Sequence, residues 1–295
     1  MTAMEAAFTL DDLPQWPHAD YPAGYAAESV AEALVDALGA NGITGVYAFC
    51  NSAALVERPA LAAVLDRWVD AGHQVGNHTH GHPNLNEVSA EHYIAEIDLA
   101  DQHLAPWLAK ASGRHFRYTL NMWGNTEDKR RRVKEHLTKL DYRIAEVTTF
   151  FYEWRFNAAY EKCLAANDGD GIAFLKRSFI DYSIAQLRYD MATAAQRFGR
   201  DVKGILLGHN VPFFADVAGD LLAALRQAGL TFIPFEAAAN DPIYDRAASG
   251  VSDKFLIYQQ KLALLDGAPV ARVAPDCVAV HDRVADMAHA GGDKA

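Results

Sequence analysis

Two carboxylates and two imidazoles stand where apolar segments of this chain run out. Phe8-Thr9-Leu10-Asp11-Asp12 closes one such segment, and Gly76-Asn77-His78-Thr79-His80-Gly81-His82-Pro83 follows another. Asp12, His78 and His82 offer one oxygen and two nitrogens, a donor set that holds a divalent ion and leaves positions open for water and a substrate oxygen. Asp11 adds a second carboxylate. Adjacent residues leaving a strand point in different directions, so one of the pair can bind metal while the other accepts a proton. Histidines spaced i, i+4 also share a helix face, but Gly76, Gly81 and Pro83 argue for a strand-end loop instead. A third element, Leu206-Leu207-Gly208-His209, reads as a buried strand ending on an imidazole that can protonate a leaving amine or alcohol. Together these residues point to a metallohydrolase.

Such a set needs strands that deliver every member to one rim. Apolar segments alternate with helix-period segments from end to end, the pattern of βα units around a parallel sheet or barrel. Strands are expected near residues 5–10, 43–50, 73–78, 115–119, 142–149, 202–208 and 230–235. In a βα barrel, the first, third and sixth of these would carry the acidic pair, the histidine loop and His209 to the same C-terminal rim. Pro59 suits a first helical turn, Ser89 an N-cap, and Asn41-Gly42 and Ala71-Gly72 helix ends. Residues 157–200 are too long for one crossover helix, and Asn167-Asp168-Gly169-Asp170-Gly171 should divide them. That insertion is expected to shape the substrate cleft or a homo-oligomer contact. Residues 1–240 then form the barrel and 241–295 a C-terminal extension without a clear strand. In the extension, a helix over about 253–266 is expected on the outside, and the last dozen residues are expected to fray.

With 295 residues, 51% of them hydrophobic, the chain can bury the core of one large α/β domain. Its net charge of −11 argues against nucleic acid or an anionic membrane as partner. Lys129-Arg130-Arg131-Arg132 has acidic neighbours and reads as a solvated helix face. Cys50, Cys163 and Cys277 lack any C-x-x-C spacing, which implies neither a disulfide framework nor a cysteine zinc site. The acidic pair lies within a dozen residues of the first Met, leaving no room for a signal peptide in the chain as given. No apolar run approaches membrane-span length. A cytoplasmic location is therefore expected.

Taken together, the motifs resemble those of the polysaccharide deacetylases of the NodB-homology type, carbohydrate esterase family four. Five short motifs occur in the family's order across residues 8–236. The family's T-F-D-D appears as Thr9-Leu10-Asp11-Asp12, which implies Asp11 as general base and Asp12 as metal ligand. Its H-[ST]-x-x-H is matched by His78-Thr79-His80-Gly81-His82, implying His78 and His82 as ligands. Its L-x-H is matched by Leu207-Gly208-His209, implying His209 as general acid. The arginine that orients the base corresponds to Arg117, with Thr119 where the family has proline. Glu153-Trp154 stands where the family has aspartate and tryptophan, so Glu153 takes the place of the carboxylate that supports His209. The resemblance implies a distorted (β/α)7 barrel and one divalent metal, zinc first, with cobalt, nickel or manganese as alternatives. It also implies removal of an N-acetyl group from an amino sugar.

Without export, a soluble oligosaccharide or small N-acyl or O-acyl compound fits better than an extracellular polymer. Substrate contacts are expected from Leu120, whose neighbouring backbone N–H would receive an oxyanion, and from Trp123 and Trp154. Trp16, Tyr21, Tyr152 and Phe156 also cluster around the motifs and offer rings for stacking. Two further readings remain open: a non-carbohydrate amidohydrolase acting on a cyclic amide or other C–N bond, signalled by the altered segment Thr119–Gly124, and a non-catalytic binding protein on the same fold.

Overall fold

Strand β1 (Met4–Leu13) lies inside a parallel sheet with neighbours on both sides. The structure, a computed structural model, describes residues 4–16, 20–245 and 255–289. The other strands are β2 (Tyr47–Cys50), β3 (Gln74–Asn77), β4 (His115–Phe116), β5 (Arg143–Ile144), β6 (Thr149–Phe150), β7 (Lys203–His209) and β8 (Leu230–Phe232). They run in the order β5-β4-β3-β2-β1-β7-β6, and β8 pairs with the beginning of β1, alongside β2. All of these pairings are parallel.

The single strand expected at 142–149 is two strands at opposite ends of that order. Four residues, Ala145 to Thr148, join them, so the sheet must curl until its ends nearly meet. Ala145 N–H reaches the Phe116 carbonyl at 2.8 Å on one side of the seam, and Thr148 N–H reaches that of Ile205 at 2.9 Å on the other. The result is a distorted, incompletely closed barrel with helices outside. It is the α/β architecture expected, with eight short strands instead of seven.

Alternation along β1 explains why a reactive carboxylate can sit within so apolar a strand. Ala6, Phe8 and Leu10 face the helices in the larger core cluster. Ala7 joins Tyr47, Phe49, Ile205 and Phe235 in the smaller one. Thr9 and Asp11 continue the register of Ala7 and meet Arg117 inside the barrel. Helix punctuation follows the expected chemistry: Ser89 Oγ accepts from His92 N–H at 3.1 Å, and Asn41 and Ala71 end their helices. Asn167 in the left-handed region separates helices Glu153–Ala166 and Gly169–Phe198. The basic run lies on helix Glu127–Lys139, where Arg131 pairs with Asp128 and Glu135 on an exposed face. The three cysteines are free and buried. Among the described residues, no helix is long and apolar enough to cross a membrane.

The C-terminal segment departs from expectation. Helix Tyr258–Leu265 does not pack on the outside; its first five residues are buried against the seam. Tyr258 N–H donates to the Val147 carbonyl at 2.7 Å and the Gln259 amide to that of Thr148 at 2.9 Å. These are backbone acceptors that a missing strand would otherwise have taken. Lys261 Nζ meets Glu146 at 3.0 Å and sits 3.7 Å from the centre of the Trp123 ring. Burial pulls this lysine down to about 8, against the opposing pull of Glu146. Helix Val278–His289 occupies half of the stretch expected to fray; the other half, 290–295, lies outside the described residues.

Gly76 in β3 has no room for a side chain. A Cβ there would meet the Phe49 ring at 2.7 Å, and Phe49 supports the Arg117 guanidinium at 4.0 Å. Gly76→Ala is expected to cost about 1–3 kcal/mol, because a well-packed interior must shift to admit the methyl. Urea unfolding with an unchanged m-value checks this.

Candidate metal centre

The loop after β3 is built so that His78 presents a lone pair inward. His78 N–H bonds to the Cys50 carbonyl, and the Asn51 amide donates to the His78 carbonyl at 2.6 Å. Asn77 Oδ1 accepts from Thr79 N–H at 2.9 Å. The ring Nδ1 lies 2.8 Å from the Arg117 carbonyl, which can only accept. Nδ1 therefore carries the hydrogen and Nε2 keeps its lone pair. Burial, with His82 alongside, pulls His78 down to about 3, so the ring is neutral near pH 7. Neutral imidazole is the ligating form.

His78 Nε2 lies 3.8 Å from Asp12 Oδ1, and His82 Nε2 lies 3.6 Å from that same oxygen. The edge of a tetrahedron with metal–ligand bonds near 2.1 Å is about 3.4 Å, close to both separations. Asp12 Oδ1 is buried without a hydrogen-bond partner. Such an orphan is costly unless a cation takes it. Asp12, His78 and His82 form the one cluster of three metal-ligating groups found among the described residues. The donor set fits a divalent ion. His80, between His78 and His82 in sequence, shares a hydrogen with Ser52 Oγ at 2.7 Å and is not part of the cluster.

Asp11 flanks this cluster. Its Oδ1 accepts from Arg117 Nη1 at 2.7 Å, and its Oδ2 faces His78 Nε2 at 3.6 Å. Arg117 is only 1% exposed; burial pulls its guanidinium down, and Asp11 opposes that pull. On the other side, β7 delivers His209, whose Nδ1 meets the Glu153 carboxylate. Glu153 is fully buried at the start of helix Glu153–Ala166. Burial alone would lower His209, but the Glu153 carboxylate outweighs it and holds the ring up at about 9.

Left-handed backbone concentrates here. Asp12, Thr79, His82, Leu120, Asn121 and Tyr152 have φ between 52° and 70°, although none is glycine. Strain of this kind clusters at functional sites.

A sequence profile for polysaccharide deacetylase matches residues 2–145, which include Asp11, Asp12, His78, His82 and Arg117. Over this stretch, just under half of its length, the chain is similar to the polysaccharide deacetylases. No curated protein matches it in sequence. The fold recurs in a family 4 carbohydrate esterase pseudoenzyme from Bacillus anthracis (12% identity, 81% of this chain and 66% of that one, TM-score 0.52). It recurs in PdaA of Bacillus subtilis, a family 4 carbohydrate esterase (18% identity, 80% of each chain, TM-score 0.51). A third example is a family 4 carbohydrate esterase from Streptomyces lividans in complex with acetate (16% identity, 80% of this chain and 96% of that one, TM-score 0.50). The chain spans about two thirds of the length of the pseudoenzyme.

The acidic pair, both histidines and His209 line one cavity of about 650 Å³. Leu120 and Trp154 line it too; the Trp154 ring stands edge-on to His209 at 5.4 Å between centres. Trp16, Tyr21 and Tyr152 also contribute. Trp123 does not. Its ring is buried beneath Lys261, because the C-terminal helix supplies a cation for its face. Phe156 is buried in the core against Phe179 and Phe213. The sequence reading missed Arg155, Phe255 and Arg272, which also line the cavity. Phe255 and Arg272 lie in a segment with no motif, and Arg155 differs from a solvated helix arginine only through its surroundings.

Proposed function

We propose that this chain is a metal-dependent hydrolase that removes an acyl group, N-acetyl first among candidates, from an amino sugar or a small N-acyl or O-acyl compound. The orphaned Asp12 Oδ1 facing His78 and His82, with Asp11 on one side and His209 on the other, is the observation that carries this reading. A divalent ion held by Asp12, His78 and His82 would polarise the acyl carbonyl and make an adjacent water more acidic. Asp11 Oδ2 takes the water proton while Arg117 fixes Oδ1. His209 delivers the proton on its Nε2 to the leaving nitrogen or oxygen, and Glu153 balances the imidazolium until it does. The products are a carboxylic acid and an amine or alcohol.

The intact acidic pair and histidines favour catalysis over a purely binding role on this fold. Phe255 packs on Trp154 at 5.4 Å between centres and Arg272 walls the same cavity, which suits a small compound better than a long polymer. The wall from Leu120 to Met122 also keeps the amidohydrolase reading in view.

Metal content by mass spectrometry, on protein prepared without chelators and offered zinc, cobalt, nickel or manganese, should approach one ion per chain. A His78→Ala, His82→Ala double variant should hold none. Acid release from N-acetylglucosamine oligomers, acetyl esters and cyclic imides then sorts the substrates. No metal in the parent would sink the mechanism, and no acid from any sugar would sink the leading substrate.

A further inference from the structure

Two cations on the cavity wall have no role in the chemistry above. Arg155 lies in the first turn of the helix that also carries Glu153 and Trp154. Arg272 comes from the segment after helix Tyr258–Leu265, more than a hundred residues away. Both line the cavity that holds the metal centre. Their charges act on the same neighbours, the Tyr152 hydroxyl and the His281 ring, which puts them on one side of it.

Neither arginine serves the fold in the usual way. Structural arginines are anchored by their guanidinium groups, but Arg272 is anchored by its backbone. Its carbonyl accepts from Tyr152 Oη at 2.9 Å and from the Gln186 amide at 3.3 Å. On either side of it, Gln260 donates to the Ala271 carbonyl at 3.1 Å, and Ala274 N–H donates to Gln186 at 2.9 Å. Its side chain is left exposed. Arg155 is half-buried, and its Nε is buried without a hydrogen-bond partner. Among the described residues, no carboxylate is within ion-pair distance of either guanidinium. Of the acids on the same helix, Glu153 is taken by His209, and Glu161 accepts from the Asn157 amide at 2.7 Å.

We propose that Arg155 and Arg272 form an anion subsite, so that the compound hydrolysed at the metal centre carries a carboxylate on the far side of its scissile bond. This rests on the hydrolase reading. Two guanidinium groups from separate elements match the two oxygens of a carboxylate. A singly charged group suits the cavity better than a dianion, because Asp11, Asp12, Asp20 and Glu161 also line it and the chain carries a net charge of −11. Tyr152, Trp154, Phe255 and Leu120 give the stretch between metal and arginines an apolar, aromatic lining.

The test compares N-acetylphenylalanine with its amide, which differ by one charge, on zinc-loaded protein. Binding is read from tryptophan fluorescence, with Trp154 and Trp16 in the cavity as reporters. The acid should bind about tenfold or more tightly than the amide, the gain expected of charge-assisted hydrogen bonds. Arg155→Gln and Arg272→Gln should each erase most of that preference, and Arg272→Lys should keep part of it. Equal affinity for the two compounds, failure of the acid to bind, or a preference that survives both glutamine substitutions would overturn the proposal; in the last case the carboxylate sits on the zinc. Acetate release is followed in parallel. A charge preference without turnover of either compound would leave the subsite standing and remove the hydrolase reading. Turnover without preference would do the reverse.

Discussion

Asp11→Asn should lower kcat/KM on an acyl substrate by about 10³-fold while metal content stays at its parental value, because in the proposed mechanism it removes the base and no ligand. Asp11 divides its two oxygens: Oδ1 is held by Arg117 at 2.7 Å, and Oδ2 faces the histidines. Asparagine can keep the first contact through its carbonyl oxygen but offers no proton acceptor of comparable basicity in place of the second. Arg117 then stays buried opposite a neutral group, and loss of one partner from a buried pair costs about 3 kcal/mol. Thermal melts therefore accompany the rates, with assays run well below the lowered transition. Activity within a few-fold of the parent, in folded and metalled protein, would remove Asp11 as base.

The same residue shows how much of the site was legible beforehand. Strand ends announce themselves through composition, so Asp11, Asp12, His78, His82 and His209 could each be assigned to a rim from local pattern. The barrel then required those rims to coincide, and the cavity contains all five. The division of 142–149 was not legible. Arg143 to Phe150 reads in sequence as one strand rich in β-branched residues, and only the meeting of the sheet's two ends makes its middle turn a corner. The same gap explains the C-terminal segment. Tyr258, Gln259 and Lys261 look like an ordinary amphipathic helix, yet they are buried because the seam leaves the Val147 and Thr148 carbonyls and the Glu146 carboxylate without partners in the sheet. Trp123 was misread for the same reason: its cation comes from 138 positions further along the chain. Long-range closure is the kind of contact that no local period encodes.

Glu153→Gln carries the second large expectation, since it removes the charge that keeps His209 protonated. Without that carboxylate, burial is the dominant influence on the ring and pulls it down. The basic limb of the pH–rate profile should move toward acid, and turnover near pH 8 should fall by about 10²-fold, because a general acid must carry its proton at the assay pH. Stability supplies an independent readout on chelator-treated protein. A histidine at about 9 in the folded state, against about 6.5 when unfolded, stabilises the protein fully below pH 6.5 and loses that contribution as pH rises through 9. The difference amounts to about 3 kcal/mol. His78, held down at about 3, has the opposite effect, and its loss of stability falls between pH 6.5 and 3, outside this window. Denaturant unfolding from pH 6.5 to 8 should therefore decline in the parent and not in Glu153→Gln; above pH 8 both proteins share a rise from Lys261, held at about 8 when folded. A variant with the parent's basic limb and the parent's decline would separate Glu153 from His209 and leave the general acid to be sought elsewhere on the cavity wall.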